Sequence, residues 1–300
     1  RPPRSTLFPY TTLFRSKRVL ACIVVRMKSV RLPRKALADI WGKPLLLRLI
    51  ERLRLAQTVD EIIICTSKHP DDKILVESAS QWGVEAIAGD EEDIVSRLME
   101  ASKRFAGDLV VRVTGDNPLT DPESLDRMVM QHQAADADYT RISGMPLGMS
   151  AEVLSTEMLP RLRQAIPHPS HSEYLLLYAF DPEQFACLAL DPPDELNRPF
   201  YSVTVDTPPD LELVRHIFSQ SKSTEAGPSA SEVVSLLDNM TGYRGIAPNK
   251  PVKMPNGDTM EYSALLELLK ERAASARKQW RGIQHMKRQD GISLSGARLK

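Results

Sequence analysis

Charge of one sign is the first thing this sequence lacks. Its 39 basic residues offset 39 acidic ones across 300 positions, so no global field draws the chain to nucleic acid or to an acidic partner. Long apolar runs are also missing. The longest, Val19–Val25 and Glu61–Cys65, have strand length and fall far short of a membrane span. Cysteine is scarce: Cys22, Cys65 and Cys187 are the only three, without metal spacing, and each sits in an apolar, strand-like run. An odd set of this kind reads as buried thiols in a reducing compartment, not as a disulfide framework. Aromatics reach only 6%, and Trp41, Trp82 and Trp280 are expected to pack rather than to stack on bases. Glycine and proline, 14 and 22 in number, are too few for extended disorder. The remaining composition, 42% hydrophobic, supports one globular core plus an appendage.

The first sixteen residues stand apart. Thr6–Ser16 reads TLFPYTTLFRS, which resembles the in-frame translation of a sequencing-adapter oligonucleotide. No charged stretch leads into an apolar core there, so it is not a signal peptide. Arg1–Ser16 is therefore expected to be a non-native extension outside the fold. With no export signal left, the expected compartment is the cytoplasm.

From Lys17 onward, short β-branched runs alternate with amphipathic ones. Strands are expected at Arg18–Val25, Glu61–Thr66, Val84–Ala88 and Leu109–Thr114. Helices are expected at Pro44–Leu55, Asp71–Trp82, Asp93–Phe105 and Pro122–Ala134. The alternation predicts an α/β fold with a largely parallel sheet covered on both faces. After Asp138 the rhythm is less regular. Helices are expected at Ser155–Ala165, Ser172–Ala179, Pro208–Gln220, Ser231–Met240 and Tyr262–Arg281, and strands at Phe185–Leu190 and Tyr201–Val205. Ser219–Ser231 and Lys250–Asp258 read as loops. The end of the chain is basic and reads as a solvated tail.

Ligands of a parallel sheet bind beyond the carboxyl ends of its strands. The segment after the first strand is Arg26-Met27-Lys28-Ser29-Val30-Arg31-Leu32-Pro33-Arg34-Lys35. Crowded cations, a hydroxyl and backbone donors suit a triphosphate, although the same charges also suit a solvated loop. Asp116 follows another buried strand and could hold a divalent cation against phosphate oxygens, with Gly115 letting the backbone turn beside the ligand. Asp206 follows the expected strand ending at Val205. It could supply a second carboxylate or simply cap the helix from Pro208.

The order of residues decides between these readings. Arg-Met-x-Ser-x-Arg-Leu-Pro-x-Lys resembles the signature loop of the sugar cytidylyltransferases, and most closely that of the spore coat polysaccharide group, ARMGSTRLPGK. The resemblance continues through Gly42-Lys43-Pro44-Leu45, Gly89–Arg97, Arg112–Leu119 and Val205–Val214, and covers roughly Lys17 to Phe218. It implies a three-layer α/β/α nucleotide-diphosphosugar-transferase fold, with a cytidylyltransferase domain over residues 17–244 and a C-terminal loop, helix and basic tail over 245–300. It implies transfer of CMP from CTP to a sugar, an acid by preference, through in-line attack of a sugar hydroxyl on the α-phosphate with loss of pyrophosphate. Arg26, Arg31, Lys35 and Asp116 would be catalytic. Arg26, Ser29, Arg31, Lys35, Gly89, Asp93 and Arg97 would bind the nucleotide, and Asp116 and Asp206 would hold Mg²⁺. Glu152, Glu173 and Arg198 would meet the sugar. A homodimer formed through the second half is a further implication.

Three departures from the family pattern matter. Lys28 and Arg34 stand where the loop usually has glycine, Ser150 where the acceptor motif has Asp, and Tyr174 where His is usual. Two other readings stay open. A glycosyltransferase of the same fold would need an Asp-x-Asp motif that is absent around Asp116. A non-catalytic nucleotide-binding scaffold would tolerate the altered loop. His168 and His171 flank Pro169-Ser170 and read as a turn, with no third metal ligand nearby.

Overall fold

A computed structural model describes residues 17–221 and 227–289. The expected extension Arg1–Ser16, the middle of the Ser219–Ser231 loop and the end of the basic tail lie outside the described residues. The chain runs through β1 (Val19–Val24), β2 (Asp39–Ile40), β3 (Lys43–Pro44), α1 (Leu45–Leu53), β4 (Glu61–Ser67), α2 (Lys73–Gln81), β5 (Glu85–Gly89), α3 (Ile94–Arg104), β6 (Leu109–Thr114) and α4 (Pro122–Ala135). It continues through β7 (Tyr139–Ile142), β8 (Glu152–Ser155), α5 (Met158–Ala165), α6 (Leu175–Ala179), β9 (Cys187–Leu190), α7 (Pro208–Gln220), α8 (Ala230–Asn239), β10 (Pro251–Lys253), β11 (Thr259–Glu261) and α9 (Tyr262–Gln289).

Seven strands form one sheet in the order β5-β4-β1-β6-β8-β7-β9. β8 is antiparallel to both of its neighbours, and every other pairing is parallel. β1 is central and buried on both faces, so its apolar residues do not alternate with polar ones. Val19, Ala21 and Ile23 face a cluster that includes Leu45, Leu49, Leu125, Val214 and Val233 from α1, α4, α7 and α8. Leu20 and Cys22 face the other cluster, which includes Leu98, Leu159, Leu175 and Ala273 from α3, α5, α6 and α9. The result is the expected three-layer α/β/α sandwich.

The nucleotide half follows its sequence pattern closely, with helix and strand ends displaced by one or two residues. The second half departs from it. Tyr139–Ile142 and Glu152–Ser155 are strands that four-residue runs could not announce, and β8 takes Ser155, where the next helix was expected to begin. Tyr201–Val205 joins no strand of the sheet and makes one isolated parallel bridge, Ser202 opposite Leu147 in the segment between β7 and β8. Its backbone is used elsewhere: Val203 N–H donates to Leu147 O at 2.8 Å and Val205 N–H to Asp116 O at 2.9 Å. Ser172–Ala179 divides into a 3₁₀ segment, Pro169–Tyr174, and the short α6. Lys250–Asp258 is not wholly a loop, because β10 pairs with β11 across it.

Two tryptophans pack as expected and one does not. Trp280 is buried and donates its indole N–H to Cys187 O at 2.7 Å, which fastens α9 to the β9 edge. Trp82 is partly buried against the core. Trp41 is 53% exposed, because it occupies a left-handed position (φ 54°) with Gly42 (φ 75°) in the two-residue turn between β2 and β3. The three cysteines are buried, and burial pushes the Cys187 thiol up to about 12, in keeping with inert structural roles. Trp280→Ala removes both a large packed ring and an indole hydrogen bond, and is expected to cost about 3–5 kcal/mol in denaturant unfolding.

Candidate active site

Two polar loops meet at the carboxyl ends of β1, β5 and β6. The first, residues 26–35, leaves β1 and is anchored at its base by Asp72, which is 1% exposed. Asp72 Oδ1 accepts from Met27 N–H at 2.7 Å, and its Oδ2 accepts from the Ser67 N–H at 3.2 Å and the Ser67 hydroxyl at 2.5 Å. Sequence reasoning did not single out Asp72, because it stands within the segment expected to be the helix Asp71–Trp82. Beyond the anchor the loop opens to solvent, and Val30 is 94% exposed. Arg34 adopts φ 57°, ψ 25°. The left-handed backbone that glycine would adopt freely is therefore imposed here on an arginine.

The second loop follows β5. Asp90 turns it by accepting from the N–H groups of Glu92 and Asp93, both at 2.9 Å, and these bonds hold the Asp90 carboxyl below its ordinary range. Arg26 Nη1 donates to Glu91 O at 3.0 Å and ties the two loops together. Asp93 caps α3 by accepting from Ser96 N–H at 2.9 Å and pairs with Arg163. Arg97 is 1% exposed and donates to Cys65 O at 3.0 Å, while its Nε and Nη2 are buried without a hydrogen-bond partner among the described residues. Gly89 makes room for it: a Cβ there would lie 2.6 Å from Arg97 Cγ.

Lys35 connects the first loop to the far half of the chain. Its Nζ lies 2.8 Å from Asp116 Oδ2, 2.8 Å from Asp206 Oδ1 and 3.0 Å from Val205 O. Arg31 Nη2 pairs with Asp206 Oδ2 at 3.1 Å. Burial works to lower the Lys35 ammonium, but Asp116 and then Asp206 outweigh it, and the net shift is upward. Burial likewise works to raise Asp206, and Lys35, Arg31 and Lys250 overcome it to leave the carboxyl below its ordinary range. Asp206 does not cap α7: the cap position is Thr207, whose N–H donates to Asp210 Oδ2 at 2.8 Å. Gly115 serves packing rather than a tight turn, since a Cβ would lie 2.5 Å from Val25 Cβ.

The donor set suits a hard divalent cation. Two carboxylates already converge on one positive charge, and Asp116 Oδ1 is buried with no hydrogen-bond partner among the described residues. No group of three or more His, Cys, Asp or Glu side chains among the described residues could hold a metal alone, so nucleotide phosphate oxygens would have to complete the coordination.

Beside Asp116 lies a cavity of about 260 Å³ lined by Arg112, Asn117, Arg141, Ser150, Glu152 and one face of α9, among others. Glu152 accepts from the Tyr139 hydroxyl at 2.5 Å and pairs with Arg112. The other two expected sugar contacts lie elsewhere. Glu173 is exposed on the 3₁₀ segment. Arg198 pairs with Asp238 of α8 at 2.9 Å. Arg141 was missed because its short strand was missed. His168 and His171 stack edge-on, with centroids 5.2 Å apart, and build no metal site.

Comparison with known proteins bears on this arrangement. The model of the cytidylyltransferase family matches residues 20–166. The spore coat polysaccharide biosynthesis protein SpsF of Bacillus subtilis is 32% identical over 227 residues, which span 73% of this chain and 94% of that protein. The chain belongs to the cytidylyltransferase family. A 3-deoxy-manno-octulosonate cytidylyltransferase of Geobacter sulfurreducens is 35% identical over 113 residues, 37% of this chain and 44% of that one. A solved cytidylyltransferase of Leptospira borgpetersenii superposes with a TM-score of 0.66 at 25% identity, covering 76% of this chain and 99% of its own. As a member of this family the chain is a CTP-using nucleotidyltransferase. No described helix is long and apolar enough to cross a membrane.

Two measurements test the electrostatics and the strained loop. The Asp206 pairing stabilises the fold above the unfolded carboxyl pKa of about 3.9 and is lost as pH falls through the lower folded value. The stability difference between wild type and Asp206→Asn is therefore expected in full at pH 6 and should shrink progressively as the pH falls below the unfolded value of about 3.9. Lys35 has the opposite sign: its contribution is full below an unfolded pKa of about 10.4 and is lost as pH rises through the higher folded value. Arg34→Gly relieves the left-handed backbone and is expected to raise stability by about 1 kcal/mol in thermal unfolding.

Proposed function

We propose that this cytidylyltransferase transfers CMP from CTP to a sugar acid and releases pyrophosphate in a Mg²⁺-dependent reaction. The observation that carries the proposal is the convergence of Asp116 and Asp206 on Lys35, beside a cavity that holds two guanidinium groups and one carboxylate. The names of the relatives, polysaccharide biosynthesis and 3-deoxy-manno-octulosonate cytidylyl transfer, support a sugar-acid acceptor.

In this reading the triphosphate lies along the first loop. Arg26, Ser29, Arg31 and Lys35 contact its oxygens and offset the charge that grows on the departing pyrophosphate. Lys35 leaves the carboxylates to do so. The loop from Gly89 to Arg97, with Asp93 fixing its geometry, receives the cytidine. Two buried Arg97 donors without a partner among the described residues belong to the same segment. Asp116 and Asp206 would hold the divalent cation, which supplies charge neutralisation at the α-phosphate when bound. The acceptor sits in the cavity near Glu152. One of its hydroxyl oxygens attacks the α-phosphorus and loses its proton, a new phosphate ester forms, and the bond to pyrophosphate breaks. The two sites adjoin, so the reactants meet without a covalent enzyme intermediate.

Pyrophosphate release from CTP and Mg²⁺, with a panel of sugar acids, tests the reading. Release with at least one acid is expected, and Asp116→Asn is expected to lower it by about 10²–10³-fold. CTP binding without release across the panel would favour a non-catalytic nucleotide-binding protein.

A further inference from the structure

The turn from Asp90 into α3 is braced from outside as well as from within. Asp90 accepts from the N–H groups of Glu92 and Asp93, and Arg26 reaches Glu91 O from the first loop. Arg163 of α5 pairs with the Asp93 side chain. A further contact comes from Ser172, on the 3₁₀ segment Pro169–Tyr174.

Ser172 is the one buried residue of that segment, and its single hydroxyl serves two peptide groups of the turn. It donates to Glu92 O at 2.7 Å and accepts from Ile94 N–H at 2.8 Å, across 80 and 78 residues of chain. Ile94 opens α3, where the first N–H groups have no partner inside the helix. Asp93 takes up the Ser96 N–H, so a local cap and a distant one divide the start of α3 between them. The Glu92 carbonyl and the Ile94 N–H belong to the two peptide planes that flank Asp93. One oxygen atom therefore fixes both planes. With its only proton committed to Glu92 O, the hydroxyl acts on the backbone and not on a ligand.

The first loop has anchors of its own, Asp72 at its root and Lys35 at its far end. A defect at Ser172 should therefore fall on the second loop and spare the first. Glu173, next in sequence, is exposed, so this segment meets the site through its serine and not through its carboxylate.

We infer that Ser172 is a positioning residue for the nucleoside half of the nucleotide site: its hydroxyl holds the backbone from Glu92 to Ile94 in the conformation that receives cytidine. The inference rests on the proposed function, in which this loop takes the nucleoside and the first loop takes the triphosphate. A loop held in place before the ligand arrives costs less to order on binding, so loss of the hydroxyl should appear as lost affinity.

The experiment compares the affinities of CTP and of inorganic tripolyphosphate, each with Mg²⁺, by calorimetric titration of the full chain. Tripolyphosphate tests the first loop alone. Ser172→Ala leaves a carbonyl and a buried N–H unpaired, and is expected to weaken CTP about ten-fold while tripolyphosphate binds as it does to wild type. With any acid that supports pyrophosphate release, the KM for CTP should rise and kcat should hold. Ser172→Cys places a weaker donor in nearly the same volume, should lose about three-fold, and carries the test if the alanine variant does not fold. Tyr178→Phe removes a hydroxyl that meets the His171 ring at 3.3 Å without touching the loop, and should leave CTP affinity unchanged. Wild-type CTP affinity in the Ser172 variants, or a parallel loss for CTP and tripolyphosphate, overturns the inference and leaves the proposed function standing. No CTP binding by the wild type overturns both.

Discussion

One ammonium group between two carboxylates organises the functional end of this molecule. Lys35 comes from the loop after β1, Asp116 from the end of β6, and Asp206 from the approach to α7, so three segments up to 171 residues apart share one charge cluster. The cluster is partly buried, and each member would be costly there alone. Backbone hydrogen bonding reinforces the arrangement: Val205 N–H donates to Asp116 O, and Lys35 donates to Val205 O. Holding these carboxylates in place requires the loop, the central sheet and the later extended segment to be correctly positioned together.

The same centre explains why the first loop can be so exposed and still be placed. Its root is fixed by Asp72 and its far end by Lys35, while the residues between them project into solvent. Charge near a ligand site is useful only if it is aimed, and two anchors aim it. Arg34 shows the cost: a side chain sits in a backbone conformation that glycine adopts with less strain, in exchange for another cation near the loop.

The nucleotide half was legible because its signals are local and mutually consistent. β1 reads as a buried run because both of its faces are covered, and α1 repeats its leucines at helical spacing. Capping residues such as Asp93 and Asp121 stand where α3 and α4 begin. The second half was less legible for the same physical reasons in reverse. β7 and β8 are only four residues long, and one is antiparallel, so neither periodicity nor crossover length marked them. Missing β7 meant missing Arg141. Arg198 looked equally suited to a carboxylate, but its partner, Asp238, lies 40 residues away, on α8.

The sequence by itself determined the alternation of strands and helices, the order of the motifs, and therefore the family and its nucleotide chemistry. These follow from short-range spacing, which is written directly along the chain. Only the tertiary structure decided that Lys35 stands between the two aspartates, that Gly89 and Gly115 yield space to Arg97 and Val25, and that α9 closes the cavity over Arg112, Arg141 and Glu152. Those relations depend on contacts between residues far apart in sequence, and spacing along a chain carries no record of distance across a fold.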